Sequence, residues 1–369
     1  MQSKVSIIII NYNGMEFIPA CLESVKNINY QNYEIIVVDN ASTDASAEWL
    51  EKHATEKEGL HTCHPGESRD PGFFKFDSES GINRKVVKTR FCLIKNKKNL
   101  GFAKANNMAI AKASGEYLLF LNNDTKVDTE ILKNLTQKME ENLQNGICAC
   151  QMRSYDSQEH YHTGIGLDML GYPVNRELMR MTTRINANNK VFYAEGSALM
   201  IRHDLFKKLN GFDEKYFMFH EDIDLAWRAW LLGYKVVAEP KAVVYHLMGA
   251  SIGSGTQNGK YFTTFKRRYL SERNNLRTLL KNYSFKNLFF ILLVYFLINL
   301  IEIIYFLIKG KFNLAVTYLK SWYWNLINLA DTLKARKKIQ ATRKVTDKYI
   351  LNKMSKKIGK LQALKNVKL

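Results

Sequence analysis

The chain has 369 residues, enough for one large domain or two with an ample core. An apolar fraction of 46% is ordinary for a globular protein, but a formal charge of +19 is not, and a surplus of that size calls for nucleic acid, anionic lipid or phosphorylated ligands. Cys21, Cys63, Cys92, Cys148 and Cys150 make no disulfide framework and point to a reducing compartment; Cys63 with His61 and His64 lacks the second Cys/His pair of a zinc site.

Val5 to Ile10 is a β-branched run without helical period and reads as a buried parallel strand, too short for a signal peptide. It stops at Asn11-Tyr12-Asn13-Gly14, and a helix is expected through Pro19, Cys21, Leu22 and Val25. Glu34 to Val38 repeats the strand and ends in Asp39-Asn40-Ala41-Ser42-Thr43-Asp44 ahead of another helix. Strand, polar turn and helix, twice over, predict a doubly wound α/β sheet. Ligands of such sheets bind beyond the carboxyl ends of the strands, where Asn11, Tyr12, Asn13, Asp39 and Asp44 fall. Tyr12 is suited to stacking on a base and Asp39 to accepting from a base or ribose.

Residues 60–88 are turn-rich and break the rhythm, as expected of a tolerated surface insertion. The sheet resumes at Phe91 to Ile94. In Asn99-Leu100-Gly101-Phe102-Ala103-Lys104-Ala105-Asn106-Asn107, Gly101 permits close backbone approach at a helix start. Tyr117 to Leu121 ends in Asn122-Asn123-Asp124, and Asp124, on the same rim as Asp39, offers an oxygen to a hard cation bridging a diphosphate. A helix over Thr129 to Leu143 and a strand over Ile147 to Gln151 follow; residues 152–190 carry no regular pattern. Val191 to Ile201 reads as a strand interrupted at Gly196, where a ligand can approach the backbone.

Tyr216 to Trp230 sets Glu221, Asp222 and Asp224 among bulky apolar residues at the start of a helix. Taken alone, this is a capped helix with a solvated acidic first turn. A carboxylate on a rigid helix start, walled by Phe217, Phe219 and Trp227, also suits general-base work. Lys235 to Ala238 and Ala242 to Tyr245 read as two short strands, the second ending at His246, a candidate metal ligand beside Asp124.

Six motifs, Asn11 to Gly14, Asp39 to Asp44, Asn99 to Phe102, Leu121 to Asp124, Gly211 to Glu214 and His220 to Asp224, occur in an order that resembles family 2 glycosyltransferases of GT-A fold, above all the bacterial rhamnosyltransferase-like members. The resemblance covers roughly residues 4–250 apart from the insertion. It implies a GT-A, Rossmann-like nucleotide-sugar-binding sheet and an inverting, metal-dependent hexosyltransferase of cell-surface polysaccharide synthesis. The donor would be a dTDP- or UDP-sugar and the acceptor a glycan or a lipid-linked one. Asn11, Tyr12, Asn13, Asp39, Asp44, Asn99, Gly101, Asn106 and Asn123 would then bind the donor, and Gly196 and Trp227 would face the acceptor. Asp222, with Glu221, would be catalytic, while Asp124 and His246 would hold Mg²⁺ or Mn²⁺. Asn122 replaces the first aspartate of a full DXD motif. A nucleotidyltransferase would want a Gly-rich, Lys/Arg-bearing loop after the first strand, which Asn11 to Gly14 is not. A nucleic-acid binder would interleave its basic residues with exposed aromatics, and no nucleic-acid partner is expected.

Leu288 to Ile308 is almost wholly apolar, broken by Asn299 and Glu302, and long enough for a bilayer of roughly 30 Å. Lys311 to Ala330 is a weaker second segment, with Trp322, Tyr323 and Trp324 suited to the interface. From Asp331 to Leu369 there are thirteen Lys/Arg and two acidic residues, and Ile350, Met354, Ile358, Leu361 and Leu364 make a stripe suited to an anionic membrane surface. The expected plan is a GT-A domain over 1–255, a basic connecting segment over 256–283, a hydrophobic membrane helix or hairpin over 284–330 and a basic amphipathic tail over 331–369. A hairpin or an in-plane pair of helices is expected there, with both flanks on the cytoplasmic face of the inner membrane, and truncation near Tyr283 would release a soluble catalytic domain.

Overall fold

Each β-branched run of the first third becomes a strand, because its side chains are apolar on both faces and helices wait on each side to cover them. The computed structural model describes residues 2–55, 73–74, 89–155, 160–174, 191–247, 255–257, 260–262 and 264–360. The first half runs β1 (Val5–Asn11), α1 (Ile18–Lys26), β2 (Tyr33–Asp39), α2 (Ser46–Thr55), β3 (Phe73–Phe74), β4 (Thr89–Lys95), α3 (Gly101–Ile110), β5 (Tyr117–Asn122), β6 (Thr125–Val127), α4 (Ile131–Glu140) and β7 (Asn145–Ser154). Then come β8 (His160–Thr163), β9 (Gly166–Leu167), β10 (Pro173–Val174), β11 (Ala198–Arg202), α5 (His203–Lys208), α6 (Glu221–Leu231), β12 (Lys235–His246), β13 (Gly255–Gln257) and β14 (Lys260–Phe262).

The main sheet has the order β3-β4-β2-β1-β5-β11-β7-β12-β6, with β8 on β7. β4, β2, β1 and β5 are parallel, and their register pairs Asn11 with Asp39, Asp39 with Lys95 and Ile10 with Asn122. All four therefore stop at one level, and the polar turns leave from a single edge. β11 runs antiparallel between β5 and β7. Alternation along β1 sends Val5, Ile7 and Ile9 to the α1/α4 side with Cys21, Leu22 and Leu135, while Ile8 joins Ala103, Trp227 and Leu279 on the other. Cys21, Cys92, Cys148 and Cys150 are free and buried; Cys63 lies outside the described residues, as does the expected insertion apart from β3.

Several expectations are corrected. The two short strands are one, β12, whose register against β7 shifts between Glu239 and Val243, where Pro240 has no N–H to give the ladder. Of Val191 to Ile201, only Ala198 onward is strand; the segment around Gly196 is a loop.

The C-terminal region folds as α7 (Phe265–Asn282), α8 (Phe285–Ile308), α9 (Phe312–Ile327), α10 (Leu329–Thr342) and α11 (Asp347–Lys353). α7 is no solvated basic connector. Arg277 and Lys281 are almost fully buried, because Asp213 meets them at 2.9 and 2.5 Å, Asp224 meets Lys281 at 2.9 Å and Asp331 meets Arg277 at 2.7 Å. Nor do the described residues of the tail present a lipid-facing stripe. Ile350 and Met354 belong to the main core, and Lys360 is buried with Nζ donating to Glu302 and Asn299, each at 2.6 Å, and to Glu272 at 3.1 Å.

A candidate active site at the carboxyl edge of the sheet

The edge begins with amides and carboxylates that bind each other. Asn11, fully buried at the end of β1, donates Nδ2 to Asp39 Oδ1 at 2.9 Å and accepts at Oδ1 from Asn123 Nδ2 at 2.9 Å. Asp39 also accepts from the Ser42 backbone N–H at 3.1 Å and hydroxyl at 2.6 Å. Asp44 accepts from the Ser46 hydroxyl, the Met15 N–H at 2.9 Å and the Ser46 N–H at 3.0 Å; burial would raise its pKa, but these bonds hold it below the usual range. Asn13, at φ 49°, accepts from the Thr43 N–H at 2.7 Å, tying the first loop to the second. Asn40, which sequence reading passed over, joins the third: its Nδ2 donates to Asn99 Oδ1 at 2.9 Å, and its Oδ1 accepts from the Leu100 N–H at 3.0 Å. Tyr12 stands out from this lattice at 45% exposed, free to meet a planar ring.

The metal candidates are brought together by strand pairing. β6 runs antiparallel to β12 with His246 opposite Thr125, and the Leu247 N–H donates to the Asp124 carbonyl at 3.1 Å. His246 Nε2 then lies 3.2 Å from Asp124 Oδ1, a buried oxygen with no hydrogen-bond partner among the described residues. A buried carboxylate oxygen left in that state beside an imidazole nitrogen fits a divalent cation. Among the described residues no third His, Cys, Asp or Glu joins the pair, so further ligands would have to be donor oxygens or water.

The acidic loop is bolted to both halves. Phe217, Phe219 and His220 all have positive φ (58°, 69° and 67°), a conformation that costs non-glycine residues energy and persists only where neighbours enforce it. Asn274 of α7 enforces it, donating Nδ2 to the carbonyls of Tyr216, Met218 and Phe219 at 2.8–2.9 Å. Phe217 O in turn accepts from the first N–H groups of α3, Phe102 at 2.6 Å and Ala103 at 3.3 Å. The close approach expected at Gly101 is therefore made by this loop: a Cβ there would stand 2.5 Å from Phe217 O. His220 occupies the cap of α6, and burial lowers its pKa to about 3 against the pull of Asp224, so it is neutral.

Asp222 accepts from the Gly196 N–H at Oδ2 (3.0 Å) and from its neighbour Ile223 N–H at Oδ1 (2.8 Å). Next to Gly196, the Ser197 carbonyl accepts from the Asn122 N–H at 3.0 Å, so acid and metal candidates hang from adjoining positions of one frame. Ser197 Oγ is buried there without a partner among the described residues, a site group that no local pattern announces. Glu221, next to Asp222 in the chain, is buried; burial first and the Asp222 charge second push its pKa well up, which favours the neutral form.

Three expected ligand residues are not presented to the edge. Trp227 is fully buried against Phe192 and Tyr283, because one turn of α6 beyond Asp222 faces the core. Asn106 is buried with Nδ2 bonded to Phe102 O within α3. Gly196 uses its N–H on Asp222, leaving it as a support for the acid. Asp224 is not a solvated first-turn charge either, being fully buried with Arg228 at 2.7 Å and Lys281 at 2.9 Å.

Comparison with known proteins adds an independent line. The family model described as "Glycosyl transferase family 2" matches residues 6–72 and 77–209. The glycosyltransferase GlyG of Streptococcus pneumoniae is 26% identical over 141 residues, 38% of this chain and 36% of its own. The N-acetylglucosaminyl-diphospho-decaprenol L-rhamnosyltransferase of Mycobacterium tuberculosis is 41% identical over 63 residues, 17% of this chain and 20% of its own. Among solved structures, S. aureus TarS 1-349 in complex with UDP-GlcNAc superposes with TM-score 0.53 at 17% identity, covering 92% of this chain and 84% of that one. GalNAc-T7 with UDP, GalNAc and Mn²⁺ gives TM-score 0.53 at 13% identity, over 76% of this chain and 48% of that one. At these identities the likeness is one of fold. The chain spans only about a third and a fifth of the two curated relatives' lengths.

Proposed function

This chain belongs to glycosyl transferase family 2, and from that premise we propose that it transfers a sugar from a nucleoside-diphosphate donor to a hydroxyl of a glycan or lipid-linked acceptor, in cell-surface polysaccharide synthesis. The observation that carries this reading is the shared frame of Asp222 and Asp124, joined through Gly196, Ser197 and Asn122. Donor complexes named for fold neighbours, UDP-GlcNAc on TarS and UDP with Mn²⁺ on GalNAc-T7, support a UDP- or dTDP-sugar in the loops after β1 and β2.

Asp222 serves as the base. Its carboxylate, oriented by the Gly196 N–H, takes the proton of the acceptor hydroxyl as that oxygen bonds the anomeric carbon. The bond from that carbon to the diphosphate oxygen breaks on the opposite face, which inverts the centre. Glu221, whose neutral form is favoured by burial, is the weaker competitor for the proton. Asp124 and His246 are the residues that would hold Mg²⁺ or Mn²⁺, and a bound cation supplies charge compensation for the departing diphosphate. Tyr12, exposed at the end of β1, would stack on the base, next to the loops that Asn11, Asp39 and Asp44 shape. The 24-residue helix α8, long and apolar enough to cross a membrane, supports an acceptor met at a membrane, for which the cytoplasmic face of the inner membrane is our reading.

A nucleotide-sugar screen by thermal unfolding tests the donor half. One UDP- or dTDP-sugar should raise Tm in the presence of Mn²⁺ or Mg²⁺, with the gain shrinking on chelation and in Asp124→Asn. If no nucleotide sugar shifts Tm with either ion, the proposed donor site is wrong.

A further inference from the structure

α8 is apolar along most of its length, yet its two sides have different surroundings. Leu288, Ile291, Tyr295, Ile298, Glu302 and Phe306 recur every three to four residues and are buried within the protein. Phe289, Leu293, Leu297, Leu300, Ile304 and Ile308 lie between them, each 48–78% exposed. α9 packs beside α8 through Phe296 and Trp322 (5.2 Å) and through Phe306 and Tyr318 (6.4 Å). It adds Leu319, Tyr323, Leu326 and Ile327, each 53–67% exposed. An apolar surface of this extent is far more than a soluble monomer normally leaves to water.

A helix anchored to protein on every turn has no stretch that lipid can surround. The anchored side is also polar where it matters. Glu302 bonds Lys360 at 2.6 Å, Arg268 at 3.2 Å and the Tyr318 hydroxyl at 2.9 Å, and Asn299 bonds Lys360 at 2.6 Å. Crossing a bilayer would carry Glu302 and Asn299 into hydrocarbon stripped of these partners, at high cost. Exposed lysines border the apolar face: Lys286 in the first turn of α8, Lys309 and Lys311 at the bend, and Lys320 in α9.

We propose that the α8–α9 hairpin is an in-plane anchor. Its apolar rows lie at the acyl boundary of an anionic bilayer, its lysines meet the headgroups, and neither helix crosses. The anchor also positions the acidic loop. Lys320 Nζ lies 5.5 Å from the Phe265 ring, Lys266 Nζ lies 5.9 Å from the Phe217 ring, and the Arg267 guanidinium lies 5.1 Å from the Phe219 ring. These contacts lead from the hairpin through the start of α7 to the residues before Asp222. Resting on the glycosyl-transfer reading above, the hydroxyl of a lipid-carried acceptor would reach Asp222 from the headgroup layer.

Flotation of the full chain with vesicles tests the anchor. The wild type should float with phosphatidylcholine vesicles containing phosphatidylglycerol, and at least tenfold less with phosphatidylcholine alone. Leu293→Asp combined with Leu319→Asp, both at exposed positions, should lose at least tenfold in flotation with an unchanged unfolding midpoint. Lys309→Cys at the bend should react, above the wild-type background, with an impermeant maleimide added outside the vesicles. Protection of that cysteine while Lys286→Cys reacts would mean a spanning helix and overturn the proposal. A discrete dimer that ignores anionic vesicles would overturn it too, with a second copy covering the face. Donor hydrolysis without acceptor keeps the two readings apart: the double variant should retain it. Flotation of a wild type that turns over no nucleotide sugar would sink the transfer reading and leave the anchor standing.

Discussion

At Glu221 the carboxyl is buried, one oxygen has no hydrogen-bond partner among the described residues, and Asp222 adjoins it, so the neutral form is favoured. A carboxyl whose folded pKa is raised costs stability once the unfolded chain ionises, from about pH 4.5 upward, because the folded state then holds the extra proton. Glu221→Gln should therefore keep transfer within a few-fold, and the wild type should lose stability relative to this variant as pH rises from 4 to 8, read from urea midpoints. Asp222→Asn should lower transfer by about 10²–10⁴-fold with donor affinity intact, the usual worth of a general base. If Glu221→Gln is the variant that loses turnover, the roles are reversed. Asp224 behaves as neither: burial opposes its ionisation, but Arg228 and Lys281 pull its pKa down. Asp224→Asn leaves Arg228 without its carboxylate and Lys281 with Asp213 alone, and should cost about 3–5 kcal/mol in denaturant unfolding, the range for breaking a buried pair. A loss under 1 kcal/mol would mean that the cations find water.

Among the elements, α7 does work that its composition conceals. One amide, Asn274 Nδ2, serves three carbonyls of the strained loop, and Arg273 donates to the Tyr216 carbonyl as well and to that of Lys215, each at 3.1 Å. Asn274→Ala should let Phe217 to His220 relax to negative φ and swing Asp222 off the Gly196 N–H. The expected signature is a fall in kcat of tenfold or more with donor KM nearly unchanged, since the donor loops are held by Asn40 and Asp39 and not by Asn274. Equal losses in kcat and donor affinity would instead mark a general collapse of the site.

For the molecule as a whole, the C-terminal helices are part of the core. Tyr283 is fully buried with its hydroxyl on Met169 O at 2.7 Å, and Leu288, Ile291, Tyr295, Ile298, Ile350 and Met354 join the cluster that includes Trp227. Six such side chains at about 1.5–3 kcal/mol each rival the ~5–15 kcal/mol by which an entire domain is stable. A chain ending at Tyr283 should consequently aggregate and show no cooperative unfolding transition, contrary to what the apolar boundary at that point leads one to expect. A monodisperse truncated protein with a sharp transition would make these helices an appendage.

The parallel strands, the polar loops at their ends and the order of the motifs were legible in the residues alone. Local periodicity decides strand against helix, and a doubly wound sheet puts the carboxyl ends of its parallel strands on one edge whatever the long-range packing. Three things were decided only in three dimensions. His246 reaches Asp124 because β6 pairs with β12, a contact between segments more than a hundred residues apart. Trp227 went to the core because the phase of α6 is set by what packs on it. The basic α7 was buried because Asp213, Asp224 and Asp331, distant in the chain, neutralise Arg277 and Lys281. A lysine bound for water and a lysine bound for a buried carboxylate look alike in a sequence. The energy that separates them belongs to the partner, and only the fold brings the partner near.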